Sequence, residues 1–494
     1  MEGFTPPGRI KDAASFGAMW RGLDSDVDIV NDPGGPESPL GQPIHVRHAD
    51  GSARTIGNRF CVHPMEGWDG TTEGGPTDDT MRRWRRFGES GAKLIWGGEA
   101  FAVQADGRAN PNQLFLNPHA ENHENMAALL CALNKTHQEH HGSTDDLLVG
   151  LQLTHSGRFC RPQPGDFQPR IAEANPLLAR KYGIDQSAHV LSDDELRTIR
   201  DNAIRAAEMA ADVGFDFVDV KCCHGYLLHE LLGARTRSGD YGGSFTNRTK
   251  LFKEIVEGIR AARPNLLIGC RVSITDLMPF ERSPDDSTGV AMTNVEDLPW
   301  QHAFGVDALN PAESEYTEPI EFVALCRSLG LFMLNLTIGS PYYCPHLQRP
   351  AAYPPSDGYL PPRDPMLEVI RHLKTVRAIK EHSPDLPLVG SGYSYLQEWL
   401  PNVAEYEVAN GFVDMIGLGR SMLSYPTLPA DVLGGKTLNR KLLCRTFSDC
   451  TTGPRNGLHS GCYPLDAEYA KRPEAQTIRV LRKEASNSKP GDRT

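Results

Sequence analysis

The 494-residue chain lacks a long apolar run, an excess of positive charge and a dense set of cysteines. No stretch approaches the roughly 20 apolar residues that a membrane-spanning helix needs, so no transmembrane segment is predicted. A formal net charge of −12 argues against a broad surface for nucleic acid or anionic membrane, and leaves room only for a local basic pocket. Residues 1–23 contain acidic side chains and no apolar segment, so they do not predict a signal peptide.

The eleven cysteines are scattered, and several of them, such as Cys61, Cys222 and Cys270, lie inside apparent strands. A secreted disulfide scaffold is smaller and much richer in cysteine. The cysteine pattern therefore predicts reduced thiols and a cytoplasmic location.

What the chain does have is an alternation of short apolar runs with amphipathic stretches. In stretches such as Asp193–Val213 and Asn247–Ala262, apolar residues recur every three to four positions, as in helices packed on a parallel sheet. Eight strand–helix repeats predict an α/β protein with a (β/α)₈ barrel, although a doubly wound sheet would also alternate. The eight apolar runs are Arg59–Met65, Ala92–Ala102, Leu147–His155, Phe215–Val220, Leu266–Val272, Leu331–Thr337, Leu386–Gly390 and Val413–Gly417.

Three regions follow from this pattern. Residues 1–42 are rich in Gly, Pro and Asp without a clear period, which predicts an N-terminal arm. Residues 43–435 are the predicted barrel and begin with a hairpin, Ile44 to Ile56, that turns at His48–Ser52. Residues 436–494 form a C-terminal tail that carries three cysteines.

Chemistry in such a barrel lies at the C-terminal ends of the strands. Two long loops, 276–314 and 339–365, are expected to form walls or lids there. The seventh and eighth runs end in Gly390-Ser-Gly392 and Gly417-Leu-Gly-Arg420. A glycine after a strand is usually only a turn residue, but together these segments predict a phosphate site. Backbone N–H groups can approach an anion where no Cβ intrudes, and arginine adds a charged donor.

The segment that follows the fourth run, Lys221–Arg248, contains a His-Gly-Tyr-Leu sequence followed by Asp-Tyr-Gly-Gly-Ser and Asn-Arg. Further motifs follow the same order along the chain: Pro64-Met65, Glu99-Ala100, Gln152-Leu-Thr-His155-Ser-Gly-Arg158, Arg271 and Gly417-Leu-Gly-Arg420. Over about residues 40–435, this set of motifs resembles the Old Yellow Enzyme family of FMN-dependent ene-reductases.

The resemblance implies an FMN across the barrel mouth that NADH or NADPH reduces. Gln152 would bind the pyrimidine edge of the flavin. Arg271 would lie beside the N1–C2 region, where a cation stabilises the anionic reduced ring. The residues expected to line the ring are His63, Pro64, Met65, Glu66 and Ala100, and those expected to hold the phosphate are Gly390, Gly392, Gly419 and Arg420.

The resemblance also implies a reaction, in which hydride passes from the flavin to an alkene conjugated with a carbonyl or nitro group. Tyr226 matches the family's proton donor and His224 matches a residue that binds the substrate oxygen. Trp68 lies where the family often carries an aromatic residue that contacts the substrate. Two alternatives remain open: a flavin-dependent amine or ring dehydrogenase or demethylase of the same family, and a flavin-binding barrel without turnover.

Lys221 departs from the family pattern, which has a histidine at this position for the substrate oxygen. The lysine could supply the counter-charge of the enolate, select an acidic substrate, or fold back onto Glu66 for a structural role. All three alternatives stay open. We hypothesise that Lys221 and Glu66 form an ion pair in the resting protein.

The tail carries the spacing Cys444-x₅-Cys450-x₁₁-Cys462, which is similar to the region where dienoyl-CoA reductase-like relatives bind a [4Fe–4S] cluster. Those relatives use four cysteines, and here Phe447 stands where the second would fall. We therefore favour ordinary buried thiols over a cluster or a zinc-binding remnant and predict no metal. The expected partner is a small-molecule substrate, not a nucleic acid or a membrane, and homo-oligomer formation stays open.

Overall fold

Eight parallel strands close into a barrel in the computed structural model, which describes residues 4–47, 51–119, 121–185, 189–292 and 294–487. Each strand pairs in parallel with the next, and the eighth returns to the first through Ile416–Phe60 and Leu418–Val62. The (β/α)₈ prediction is confirmed. The strands are β1 (Phe60–Val62), β2 (Leu94–Ile95, resuming at Ala100–Ala102), β3 (Leu148–Thr154), β4 (Phe217–Val220), β5 (Leu267–Ser273), β6 (Leu334–Thr337), β7 (Leu388–Gly390) and β8 (Met415–Leu418).

A helix follows each strand and packs outside the barrel, as the sequence periodicity predicts. These helices are α1 (Asp78–Gly88), α2 (Asn122–His141), α3 (Asp193–Val213), α4 (Lys250–Ala262), α5 (Thr317–Ser328), α6 (Pro365–His382), α7 (Leu400–Ala409) and α8 (Leu428–Leu433). Shorter helices occur at Pro176–Tyr182, Leu227–Gly233, Phe245–Arg248, Pro345–Gln348, Arg420–Ser424 and Asp449–Arg455.

Local sequence sets the ends of these helices, and α3 shows how. Ser192 accepts a hydrogen bond from the Glu195 amide while the Glu195 carboxylate accepts one from the Ser192 amide, which is a capping box. The helix ends at Gly214, whose φ of 101° lies in the left-handed region that favours glycine. The predicted and observed bounds of this helix agree.

The predicted hairpin is present as two antiparallel strands, Ile44–Arg47 and Ala53–Ile56. Residues 48–50 of its turn lie outside the described residues. Val46 and Ile56 are buried with side chains from the N-terminal ends of the barrel strands, among them Leu94. The hairpin therefore closes the N-terminal end of the barrel and leaves the C-terminal end for the site.

The N-terminal region contains a helix, Ala13–Leu23, that was not predicted from the sequence. Its Phe16 and Trp20 are fully buried, and Phe16 stacks on Trp399 beside α7 with ring centroids 5.2 Å apart. Only one narrow apolar face of a short helix is buried, which explains why no clear period marks it in the sequence.

The C-terminal residues pack back onto the barrel at α1. Arg472 Nη1 lies 2.7 Å from the Asp79 carboxylate, and Arg82 Nη2 lies 2.9 Å from Asp466 Oδ1. The last described helix runs from Pro473 to Asn487. Among the described helices, none is long and apolar enough to cross a membrane.

Candidate active site

A cavity of about 790 Å³ opens at the C-terminal end of the barrel. It brings together all but one of the residues that the sequence predicts for catalysis, cofactor and substrate. The predicted residues that line it are His63, Pro64, Met65, Glu66, Trp68, Ala100, Gln152, Lys221, His224, Tyr226, Arg271, Gly392, Gly419 and Arg420.

Gly390 is the exception, because it does not line the cavity. It is the last residue of β7 and pairs with Ile416 of β8. A Cβ there would point at Tyr393 and Val413. The following residue, Ser391, lines the cavity instead.

His63, just after β1, is buried and neutral. Its Nδ1 lies 3.0 Å from Asn335 Nδ2 on β6, and its Nε2 lies 3.1 Å from Ser391 Oγ. Burial, together with the nearby Arg271 guanidinium, holds the pKa of His63 well below its usual value. Neither Asn335 nor Ser391 was predicted as a site residue.

Arg271 on β5 presents a buried guanidinium to the cavity. Its backbone N–H donates to Asp219 Oδ1 at 2.6 Å, and Gln152 Nε2 donates to Asp219 Oδ2 at 2.6 Å. Burial raises the pKa of Asp219 to about 7. The Nε of Arg271 is buried and has no hydrogen-bond partner among the described residues, so the side chain retains an unused donor.

Lys221, Glu66 and Tyr226 form one contact network at the cavity. Lys221 Nζ lies 3.5 Å from Glu66 Oε1, so the ion pair hypothesised from the sequence is present. The same carboxylate oxygen accepts the Tyr226 hydroxyl at 2.7 Å, and Lys221 Nζ lies 3.8 Å from the centre of the Tyr226 ring. Burial and the neighbouring Glu66 carboxylate raise the pKa of Tyr226 well above its usual value, so its hydroxyl keeps its proton at neutral pH.

Tyr342, from loop 339–365, extends this network. Its hydroxyl lies 2.9 Å from the Tyr226 hydroxyl, and its ring stacks on Phe159 with centroids 3.9 Å apart. Two phenols and one carboxylate therefore share a short hydrogen-bonded path. The sequence did not predict Tyr342 as a site residue, because the loop that carries it has no periodic pattern.

His224 has a φ of 70°, in a region that residues other than glycine seldom occupy. Its N–H donates to Ser273 Oγ and its carbonyl accepts from Ser340 Oγ, so flanking side chains hold the backbone in this conformation. Its Nε2 lies 3.1 Å from the amide nitrogen of Gln348. Burial and the nearby cations hold its pKa well below the usual value, so the ring is neutral. Strained backbone of this kind concentrates at functional sites.

The glycine-rich ends of β7 and β8 line another part of the cavity. Gly392 has a φ of 95°, which strains other residues, and a Cβ on Gly417 would lie 2.1 Å from the His63 ring. Gly419 and Arg420 both line the cavity, and Arg420 Nη2 donates to Pro350 O at 3.0 Å. This close backbone approach with an adjacent guanidinium suits a phosphate.

The two long loops contribute unequally. Loop 339–365 lines the cavity, whereas no described residue of loop 276–314 does. The latter loop supports the former: Asp276 accepts a hydrogen bond from the Tyr343 hydroxyl at 2.8 Å, and Phe280 packs on His346. The expectation that both loops form walls is therefore wrong for 276–314.

Part of the tail lines the cavity too, which the sequence did not predict. The tail residues involved are Cys450, Thr451, Pro454, Arg455, Gly457, Leu458 and Ser460. Arg455 lies 2.5 Å from Asp357 Oδ1 and donates to Pro341 O, which joins the tail to loop 339–365.

The three tail cysteines have free thiols. Phe447, at the position where relatives would have a further cysteine, packs between the Tyr353 ring and the Arg482 guanidinium. Across the described ranges, no group of three or more His, Cys, Asp or Glu side chains is arranged to hold a metal ion. The donor set does not fit a [4Fe–4S] cluster, because three thiols and a packed phenyl ring cannot supply four ligands.

Comparison with known proteins identifies the family of this barrel. Residues 39–312, more than half of the chain, match the model of the NADH:flavin oxidoreductase / NADH oxidase family. The chain belongs to this family. The prediction of FMN as cofactor is thereby confirmed, as is the resemblance to Old Yellow Enzyme relatives.

Individual known proteins share part of the sequence or the fold of this chain. An NADH-dependent flavin oxidoreductase of Aspergillus parasiticus is 27% identical over 271 residues, which cover 51% of this chain and 56% of that protein. The histamine dehydrogenase structure from Rhizobium sp. 4-9 aligns over 86% of this chain and 52% of that one, with 21% identity and a TM-score of 0.61. An Old Yellow Enzyme homologue from Zymomonas mobilis aligns over 82% and 98%, with 20% identity and a TM-score of 0.53. The chain thus spans little more than half the length of the first two.

The residues at the cavity fit FMN. The unused donor of Arg271 suits the electron-rich edge of a flavin, and Gln152 lies beside it. The glycine-rich segments with Arg420 suit the phosphate. FMN, when bound, supplies the group that accepts a hydride and passes it on.

Proposed function

We propose that the chain is an FMN-dependent oxidoreductase that transfers hydride from NADH or NADPH to an alkene conjugated with a carbonyl group. The observation that carries the proposal is Tyr226, a protonated phenol at the cavity that is hydrogen-bonded to Glu66. The cytoplasmic location remains a prediction, as do the extents of arm, barrel and tail and the role of each site residue.

The side chains support each part of this chemistry. His224 and Lys221 present nitrogen atoms that can polarise the substrate oxygen, where negative charge develops during hydride transfer. Tyr226 gives its proton to the α-carbon of the substrate and becomes a phenolate. The Lys221 ammonium, which lies over the same ring, stabilises that phenolate, and Glu66 Oε1 lies on the path by which a proton returns.

Lys221 also favours alkene reduction over amine oxidation as the reaction of this site. A carboxylate beside aromatic rings is a favourable environment for an ammonium ion. Here the ammonium of Lys221 already occupies this environment, between Glu66 and the Tyr226 ring. The alternative of an amine dehydrogenase is therefore disfavoured, even though histamine dehydrogenase shares the fold.

The holoprotein tests the proposal directly. We expect a yellow protein whose absorbance near 450 nm bleaches anaerobically with NADH or NADPH and returns on addition of an enone, at a turnover of about 1–10³ s⁻¹, the usual range for enzymes. Yellow protein that no nicotinamide reduces would support a flavin-binding barrel without turnover. Protein that takes up no FMN would contradict the proposal altogether.

A second test addresses Lys221. We expect Lys221→Met to lower enone turnover by about 10²-fold, the cost of losing one charged group at a developing oxyanion. We also expect it to allow binding of tetramethylammonium, because Glu66 loses its cation. Turnover and the flavin midpoint potential report the first effect, and titration of flavin absorbance with tetramethylammonium reports the second.

Lys181→Met is the matched control, since Lys181 Nζ donates to Phe280 O and its side chain does not line the cavity. It should match the wild type in both measurements. Unchanged turnover and potential in Lys221→Met would leave only a structural role for this lysine.

A further inference from the structure

Arg349 also lines the cavity, and the proposed chemistry does not use it. Arg349 is partly buried on loop 339–365, and its Nη1 donates to Thr451 Oγ1 of the tail. Within the described residues, no carboxylate lies at ion-pair distance from its guanidinium. The side chain is therefore oriented by a neutral hydroxyl, and no described carboxylate compensates its positive charge.

Two other cations of the cavity have a carboxylate partner. Lys221 pairs with Glu66, and Arg455 pairs with Asp357 at 2.5 Å. Arg420 lacks such a partner within the described residues, but the phosphate of FMN is expected to supply its counter-charge. Arg161 and Arg271 also lack a carboxylate partner among the described residues, but Arg161 is exposed and Arg271 is expected to lie beside the flavin ring. Arg349 is therefore the partly buried cation that is left without a counter-charge there.

Arg349 and Arg420 lie close together. The guanidinium of Arg420 donates to the carbonyl of Pro350, the residue that follows Arg349. Burial, followed by the charges of Arg455 and Arg420, lowers the pKa of Arg349 to about 10. Like charges brought together in a partly buried cavity repel one another, and an anion bound between them removes this cost.

We propose that Arg349 and Arg420 together form a binding site for a phosphoryl dianion, with Thr451 orienting Arg349. Guanidinium groups bind phosphate through paired N–H donors, so two of them can contact several phosphate oxygens. The dianion has two sources, the phosphate of FMN and a phosphoryl group on the substrate. The inference rests on the proposed function in that Arg420 belongs to the flavin site.

Arg349→Met tests this site by its binding constants rather than by activity. FMN and riboflavin are titrated into the full-length apoprotein and their fluorescence is followed, because riboflavin lacks only the phosphate. If the dianion is the phosphate of FMN, the Kd for FMN should rise at least tenfold, equivalent to about 1.4 kcal/mol, while the Kd for riboflavin stays unchanged. If the dianion is a phosphoryl group on the substrate, the Kd for FMN should stay unchanged. Inorganic phosphate should then change the flavin absorbance of the wild-type holoprotein but not that of the variant.

Two further variants keep the test decisive. Arg161→Met is the matched control, because Arg161 also lines the cavity but is exposed and stacks on Phe167, so both titrations should match the wild type. Arg349→Lys retains the charge without the paired donors and should weaken the same ligand by a smaller factor, which applies even where Arg349→Met folds poorly.

The outcomes separate the inference from the proposed function. Wild-type protein that does not bind FMN contradicts the proposed function. Wild-type protein that binds FMN, with Arg349 variants that match it for FMN, riboflavin and phosphate, overturns the two-arginine site alone.

Discussion

Tyr226→Phe is expected to lower the rate of alkene reduction by about 10²- to 10⁴-fold, the usual contribution of a positioned general acid. The variant loses the hydroxyl that donates to Glu66 and contacts Tyr342 but keeps the ring beneath the Lys221 ammonium. Reduction of the flavin by NADH or NADPH needs no proton from this residue, so that step should proceed at the wild-type rate. Stopped-flow measurement of the two half-reactions separates these effects.

Tyr182→Phe is the matched control for this prediction. Tyr182 also lines the cavity, but its hydroxyl donates to the backbone carbonyl of Tyr342 at 2.8 Å. Its loss should change alkene reduction by no more than a few-fold. An equal loss of both half-reactions in Tyr226→Phe would show that the phenol organises the site and is not the proton donor.

The pH dependence of alkene reduction follows from the direction in which the pKa of Tyr226 is shifted. Because the pKa of Tyr226 is raised well above its usual value, the phenol stays protonated through neutral and mildly alkaline pH. Alkene reduction limited by this proton should therefore be independent of pH across that range.

Arg83→Met is expected to destabilise the fold by about 3–5 kcal/mol, the cost of leaving buried charges without their partner. Arg83 is buried on α1, and its guanidinium lies 2.9 Å from Asp69 Oδ1 and 2.5 Å from Glu99 Oε2. Both carboxylates are about 1% exposed. Urea denaturation, followed by circular dichroism, measures the loss.

The destabilisation should grow with pH. Burial raises the pKa of Glu99 to about 7 even with Arg83 present, so without the guanidinium this carboxylate is easier to protonate still. Acid then neutralises Glu99 and restores part of the stability, whereas at high pH it remains charged and unpaired. Arg85→Met, on the exposed face of the same helix, should change stability by less than about 0.5 kcal/mol at any pH.

The barrel could be predicted because its strands are buried on both faces. Such strands appear in the sequence as short apolar runs that interrupt the helical periodicity. All seven residues of β3 are buried, for example, and they lie within the predicted run Leu147–His155. The Lys221–Glu66 pair could be predicted as well, because both residues follow barrel strands and the ends of parallel strands meet at one rim.

Other parts of the site left weaker signals. Asn335 is a single polar residue in the apolar run of β6, and it faces the cavity-lining His63. A lone polar residue in an apolar strand can therefore indicate a site residue, although it does not show which side chain that residue contacts. Tyr342, Arg349 and Thr451 had no such signal, because their contacts join residues more than 100 positions apart, and the segments that carry them have no period.

The contacts between loop 339–365 and the tail have a kinetic consequence. Arg349–Thr451, Arg455–Asp357 and Ser448–Tyr353 O cross from one segment to the other at the rim of the cavity. A molecule that leaves on this side must wait until these contacts break together. Its residence time should therefore depend on how often the C-terminal segment separates from the loop, so that residues remote from the flavin ring help to set the off-rate.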